Sequence, residues 1–352
     1  MTLFNKAACF TDIHWGKKAD SELHNKDCYR YIDWFLEQVI AHECDSIIFL
    51  GDWYDNKSRL RVDTQWYSVG AINRLNNLGI PIHWLIGNHD IFFKTNRDVH
   101  SLPFLLGRYE NIHVYNEMTQ VDDVLFCPWL VGSEFTTPPD TQCKYVFGHF
   151  EFPTFLMNEN IRCFDKGMGL LADHFYKCEA VYSGHFHKRQ MKMNEHNIPV
   201  TYIGNCFPHN FNDLADRDRG CMILEWDKDP KMLSWKDAPN YNKTRVSDLL
   251  GAMENDDISK HYTKHSVIEC HDDVDLSIEE SLQLKELFSD EVRSITIIPQ
   301  EKRDLTEEAT DVQEDQNVDG MVVDHLRKLD TEGSEYDTAM LVDLYESCDE
   351  SV

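Results

Sequence analysis

Residues 46–55 read Ser-Ile-Ile-Phe-Leu-Gly-Asp-Trp-Tyr-Asp, an apolar run that stops at a glycine followed by an acid. Such a short, continuous apolar run is typical of a strand buried on both faces, and the glycine lets the chain turn sharply out of it. The same punctuation recurs. Ala7–Phe10 delivers Thr11-Asp12-Ile13-His14, and Ile82–Ile86 delivers Gly87-Asn88-His89-Asp90. Lys144–Phe147 ends at Gly148-His149, and Ala180–Tyr182 leads to Gly184-His185-Phe186-His187.

Helical periodicity fills the gaps between the first three runs. Ile32, Phe35, Leu36, Val39 and Ile40 follow i, i+3, i+4 spacing and predict a helix over 26–42. Val62, Trp66, Val69, Ile72 and Leu75 predict a second, closed near Gly79 with Pro81 beyond. Trp34, Phe35 and Trp66 are assigned to the core on this pattern. The βαβαβ alternation implies a mostly parallel sheet, and the shorter runs Val121–Pro128, Val200–Ile203 and Cys221–Trp226 imply antiparallel strands and a second sheet. The expected fold class is α/β: a two-sheet α/β sandwich flanked by helices.

From about Tyr241 the texture changes. His265–Cys270, a helix near Ser277–Leu287 and Val292–Pro299 read as a small β-α-β appendage. Glu301–Gly320 is acidic and polar, and Met321–Cys348 regains apolar periodicity as two short helices broken at Gly333. The expected organisation is a catalytic domain over 1–240, an appendage over 241–300, an acidic linker over 301–320 and a helical tail over 321–352.

A net charge of −28 argues against a nucleic-acid partner on its face. The distribution of charge weakens that objection. From Ser247 onward there are 30 acidic against 8 basic residues, whereas the first 246 residues carry 32 against 26. Eleven cysteines without a C-x-x-C pair disfavour a thiolate zinc site and suit reduced, intracellular thiols. No apolar run reaches membrane-spanning length, and the N-terminus lacks the pattern of an export signal, so a cytoplasmic protein with no membrane association is expected.

Loops at the carboxyl ends of parallel strands lie together on one sheet edge, so motifs far apart in sequence can converge in one pocket. Carboxylates, an amide oxygen and several imidazoles, without thiolate, form a donor set that suits Mn²⁺, Fe²⁺ or Zn²⁺ more than Ca²⁺. Asp12 and His14, two apart on an extended segment, are expected to project to one side, and His185 and His187 likewise. The remaining histidines, His24 and His209 among them, are read as ordinary core or surface residues. The basic clusters Lys17-Lys18 and Lys57, Arg59, Arg61, with Trp15, are expected to flank the pocket, either as ordinary solvated loop residues or as contacts that bind phosphates and stack a ring.

The ordered series D-x-H, G-D-x-x-D, G-N-H-D, G-H and G-H-x-H resembles the calcineurin-like metallophosphoesterases. Within them the chain is most similar to the SbcD-like nuclease subunits and their T-even-phage recombination-nuclease counterparts. The resemblance implies two divalent ions, Mn²⁺ first, with Mg²⁺, Fe²⁺ or Zn²⁺ as alternatives. It implies one ion held by Asp12, His14 and His187, the other by Asn88, His149 and His185, and Asp52 bridging them. His89 would be the general acid, while Asp55 and Asp90 would orient the histidines. It further implies DNA as substrate, an SbcC-like SMC-family coiled-coil ATPase as partner of the helical tail, and a homodimer that acts as exonuclease and endonuclease in recombination and repair. Two other functions compete: a small-molecule or protein metallophosphatase, and a non-catalytic DNA-end tether. Asn56-Lys57 after Asp55 and Asp90 after His89 depart from the protein-phosphatase pattern, and retention of all seven ligand positions counts against a degenerate tether.

Overall fold

The computed structural model describes residues 2–102, 107–135, 139–158, 161–164, 169–214, 218–254 and 261–299, with the single position 338. The expected linker (301–320) and helical tail (321–352) lie outside these residues. The chain divides into two compact units at Gln300, and the first, Met1–Gln300, contains the elements below.

Strands β1 (Lys6–Phe10), β2 (Ser46–Phe49), β3 (Ile82–Leu85) and β4 (Ile112–Tyr115) lie side by side in sequence order, all parallel. Helices α1 (Glu22–Ala41) and α2 (Val62–Asn76) are the crossovers. Helix α1 starts where the Ser21 side chain accepts from the His24 amide, and it buries Tyr31, Ile32, Phe35 and Val39 against Phe10 and Phe49 of the sheet.

A second sheet combines β5 (Thr119–Val121), β6 (Val124–Cys127), β7 (Tyr145–His149), β8 (Ala180–Gly184), β9 (Gln190–Met193) and β10 (Pro199–Tyr202), in the order β5-β6-β7-β8-β10-β9. Its four central strands are parallel and its two edge strands antiparallel. Strands β11 (Gly220–Glu225) and β12 (Lys231–Ser234) then return to the first sheet, where β11 pairs antiparallel with β1.

Period-two alternation splits each strand between two cores. Ala7, Cys9, Ile48, Leu50 and Leu85 face Val124, Phe126, Phe147 and Tyr182 between the sheets. Ala8, Phe10, Ile47 and Phe49 face the helices on the other side. The outer face of the second sheet departs from the expectation of flanking helices. Leu125, Val146, Val181 and Val200 are covered there by Phe150, Phe152, Phe155 and Phe175, which lie on irregular chain after β7.

Trp66 is a correction. Helix α2 buries Thr64, Ser68, Ala71, Ile72 and Leu75, and this stripe leaves Trp66 on the opposite side, 69% exposed. Trp34 is half-buried and Phe35 fully buried, as expected.

The appendage has one more strand than the sequence pattern shows. Strands β13 (Asn240–Arg245), β14 (Ser266–His271) and β15 (Ser294–Ile298) form a parallel sheet with helices α3 (Val246–Glu254) and α4 (Ile278–Leu287) as crossovers. Strand β13 escapes a reading by pattern because Asn-Tyr-Asn-Lys-Thr-Arg has no apolar alternation. The appendage core is separate, built from Val246, Leu249, Ile268, Cys270, Leu284 and Phe288. The Arg293 guanidinium donates to both Asp27 carboxylate oxygens of α1, at 3.0 and 2.5 Å, and fixes this sheet beside the start of that helix.

Phe147 stacks between the sheets, 6.0 Å from Phe126 and 5.4 Å from Tyr182. Phe147→Ala should therefore cost about 3–5 kcal/mol in urea unfolding. Trp66→Ala, on exposed surface, should stay within about 0.5 kcal/mol of the wild type. A larger loss at Trp66 than at Phe147 would reverse the assignment of faces.

Candidate metal centre

The five motifs meet at the carboxyl ends of β1, β2, β3, β7 and β8, so the site straddles two sheets where one sheet edge was expected. Backbone pairing continues past the strand ends and locks the first two loops together. Asp12 N donates to Gly51 O at 3.0 Å, His14 N to Asp52 O at 3.2 Å, and Trp15 N to Trp53 O at 2.8 Å.

The side chains are aimed by strain. Asp12 (φ 52°), His14 (φ 53°), Asp52 (φ 62°) and His185 (φ 82°) all adopt left-handed backbone conformations. Each such residue costs about 1–3 kcal/mol, and residues of this kind concentrate at functional sites. This corrects the expectation of an extended Asp12–His14 segment: two left-handed residues, with no strand pleat, turn both side chains inward. Gly87 is required for close approach, since a Cβ there would collide with the Asp52 carboxylate and amide.

Two groups of ligand atoms result, each within 4.8 Å: Asp12, His14 and His187, and Asp52, His149 and His185. The Asp52 Oδ2 atom lies 3.6 Å from His14 Nε2 and 3.4 Å from His149 Nε2, midway between the groups. Asn88 Oδ1 lies 2.9 Å from His185 Nδ1 and 3.0 Å from His149 Nε2, which puts the amide oxygen in the second group. A third group, His14, Asp52 and His89, satisfies the same distance limit. His89 Nδ1 donates to the Asp55 carbonyl at 2.7 Å, which fixes the ring and leaves Nε2 as the nitrogen not engaged by that bond.

Charge in this pocket is internally balanced. Burial opposes the imidazolium of His14, but the neighbouring Asp12 and Asp55 carboxylates outweigh it and raise its pKa to about 9. Burial likewise opposes charge on His149, and Asp52 overrides it to give about 9. For His185 and His187 burial wins, lowering both to about 3. Burial would raise Asp12, yet the histidines bring it down to about 2.

The donor set fits divalent cations. Asp12 Oδ2 accepts from the Thr11 hydroxyl and the His185 amide, whereas Asp12 Oδ1 is buried with no hydrogen-bond partner among the described residues. A buried carboxylate oxygen without a hydrogen bond, set among imidazoles, is a donor suited to a divalent cation.

Asp55 reaches His14 Nδ1 at 3.4 Å and Lys17 Nζ at 2.8 Å, the carboxylate–histidine arrangement that fixes a ligand's tautomer. Asp90 does something different from the expected orientation of histidines. Its Oδ2 accepts from the amides of Gly87 and Asp52 (2.9 Å each), and its Oδ1 from Trp53 (3.0 Å) and Tyr54 (3.3 Å). It braces the second loop against the third.

The flanking residues divide. Trp15 is fully buried against Trp53 and presents no face to a base, because its ring is part of the main core. Lys18 is bound to the Tyr241 hydroxyl of the appendage, and Arg61 is paired with Asp63 at 2.8 Å. Lys57 and Arg59 are exposed and make no ion pair among the described residues. His209 is a site neighbour that sequence reasoning misses. It is fully buried, with ring centroids 5.5 Å from His14, 5.3 Å from His187 and 5.2 Å from His24, and neither ring nitrogen has a hydrogen-bond partner among the described residues. It lies outside any repeated motif, so only the folded arrangement reveals it.

Residues 6–279 match the family model described as calcineurin-like phosphoesterase, and the chain belongs to that family. The fold of that family implies a dinuclear divalent-metal site, and the ligand groups above are its candidates in this chain. The chain is 27% identical over 222 residues to "Exonuclease subunit 1" of Enterobacteria phage T4, covering 61% of this chain and 62% of that one. It is 30% identical over 95 residues to the SbcD component of the nuclease SbcCD of Escherichia coli (strain K12), covering 27% and 24%. The chain thus spans less than two thirds of the length of these curated relatives. Among solved structures, a dimetal phosphatase from Danio rerio aligns over 65% of this chain and 96% of that one, with TM-score 0.42 and 10% identity. Among the described residues no helix is long and apolar enough to cross a membrane.

Asp90→Asn replaces one accepting oxygen by an NH₂ group facing amide donors. It should cost about 1–3 kcal/mol in chemical denaturation of the metal-free protein and weaken Mn²⁺ binding in calorimetry. Unchanged stability together with unchanged affinity would remove Asp90 as the brace.

Proposed function

We propose that this chain is a Mn²⁺-dependent DNA phosphodiesterase with exonuclease and endonuclease activity. On this reading it is the nuclease subunit of a cytoplasmic complex with an SMC-type ATPase that works in recombination, repair and end processing. The observation that carries the chemistry is Asp52 Oδ2 between two histidines of two ligand groups. DNA as substrate is supported by the names of the phage and bacterial relatives and by exposed Lys57 and Arg59 in the loop that follows Asp55. Homodimerisation and ATPase binding through residues 321–352 belong to the same proposal.

Asp12, His14 and His187 would hold one ion, and Asn88, His149 and His185 the other, with Asp52 shared. Two divalent ions, when bound, supply positive charge for the phosphate and acidity for the attacking water. His89 is held by its Nδ1 bond to the Asp55 carbonyl, so Nε2 delivers the proton to the leaving oxygen. Lys17 neutralises Asp55 on the far side of His14 and keeps that imidazole in place. Lys57 and Arg59 are assigned to the DNA backbone, while burial of Trp15 closes the base-stacking role expected of it.

The test is one panel: full-length protein with Mn²⁺ on linear duplex, single-stranded DNA and p-nitrophenyl phosphate. Asp52→Ala should abolish DNA cleavage at saturating Mn²⁺, since charge and geometry are lost at both ions. His89→Asn should still bind two Mn²⁺ in calorimetry and lose about 10²–10⁴ in rate. Hydrolysis of p-nitrophenyl phosphate without any DNA cutting would make the protein a metallophosphatase. DNA binding without any hydrolysis would make it a tether.

A further inference from the structure

Beside the metal centre lies a cavity of about 260 Å³ that the chemistry described so far does not use. Its walls include the rings of Trp129, Phe135, Phe150, Phe152 and Phe164, with Glu151 and His149 also lining it. His149 is thus shared between the ligand groups and the cavity. The Trp129 ring lies 4.9 Å from His185 and 6.0 Å from His149, so the cavity opens directly off the second ligand group.

The walls are built in advance. Trp129 is held by its amide on the Ile86 carbonyl at 2.8 Å, and Phe135 packs edge-on against it at 6.1 Å. Phe150 and Phe152 stack at 4.7 Å with 23° between planes, and Phe175 supports both. Phe150 and Phe152 are buried, Trp129 and Phe135 are half-buried, and Phe164 is 78% exposed.

We propose that this cavity is a nucleobase slot, which receives the unpaired base attached to the scissile phosphate. This rests on the reading of the protein as a nuclease and deepens it. The volume is just below the range of about 300–1,000 Å³ usual for small-ligand sites, which suits one fused ring system. Aromatic walls favour a flat, neutral π-face and tolerate any base. The Glu151 carboxylate disfavours a second phosphate there. Because His149 belongs to both places, a phosphate at the ligand groups puts its own nucleoside, and no distant one, at the cavity mouth. A base stacked in a duplex cannot enter. The slot therefore selects single strands, frayed ends and mismatched termini, where unstacking costs least.

The experiment uses full-length protein with Mn²⁺ and a single-stranded oligonucleotide carrying one abasic (tetrahydrofuran) residue, placed on either side of a chosen phosphate. On at least one side, kcat/KM for cutting at that phosphate should fall about 10–100-fold relative to the intact strand. Leu171→Trp, which fills the cavity, should bring intact DNA down to the abasic level and erase the difference, with Mn²⁺ binding in calorimetry unchanged. If that variant loses its folded circular-dichroism signal, Phe164→Ala replaces it, because its exposed ring bears no packing load, and the difference should narrow. Equal cutting of intact and abasic strands on both sides by wild-type protein overturns the slot and leaves the nuclease standing. Absence of cutting on every DNA overturns both.

Discussion

Four backbone amides from two loops converge on one buried carboxylate, Asp90, and the metal centre depends on this convergence. The brace holds the Gly51–Tyr54 turn against the Gly87–Asp90 turn, so Asp52 and Asn88 keep their places between the histidines. Its pKa is pushed up to about 7, by burial first and by the neighbouring Asp52 charge second, while the amides of Gly87 and Tyr54 pull the other way. The charged carboxylate is thus held at a cost that the amides only partly offset.

The same logic extends outward. Four of the candidate ligand residues sit in left-handed conformations, which a short peptide would abandon. They persist because the strands delivering them are fixed by three cores, one between the sheets and one on each outer face. Ligand precision here is a consequence of packing far from the ligands. The cavity at Trp129 belongs to the same arrangement, since Phe150 and Phe152, which line it, also cover the second sheet.

The five strand-end motifs were legible because chemistry and punctuation coincide there: an apolar run, a turn, then ligand-type side chains. Parallel order in the first sheet followed from helices at crossover spacing. Other features left no mark in the sequence. Trp66 falls on an apolar heptad-like row, yet the small residues Thr64, Ser68 and Ala71 are the ones that pack closely, and they send the indole outward. Trp15 follows a ligand motif and looks like a stacking residue, but the paired loops carry it inward against Trp53. His209 and Asp90 show their roles only as contacts, which spacing alone does not encode.

The central claim is that one carboxylate, Asp52, joins two ion sites. Crystals of the protein grown with Mn²⁺ and measured at its absorption edge test this most directly. Two anomalous peaks about 3.5–4 Å apart, one on each side of Asp52, are the predicted result. A single peak, or a pair that leaves Asp52 without contact to one of them, would contradict the account.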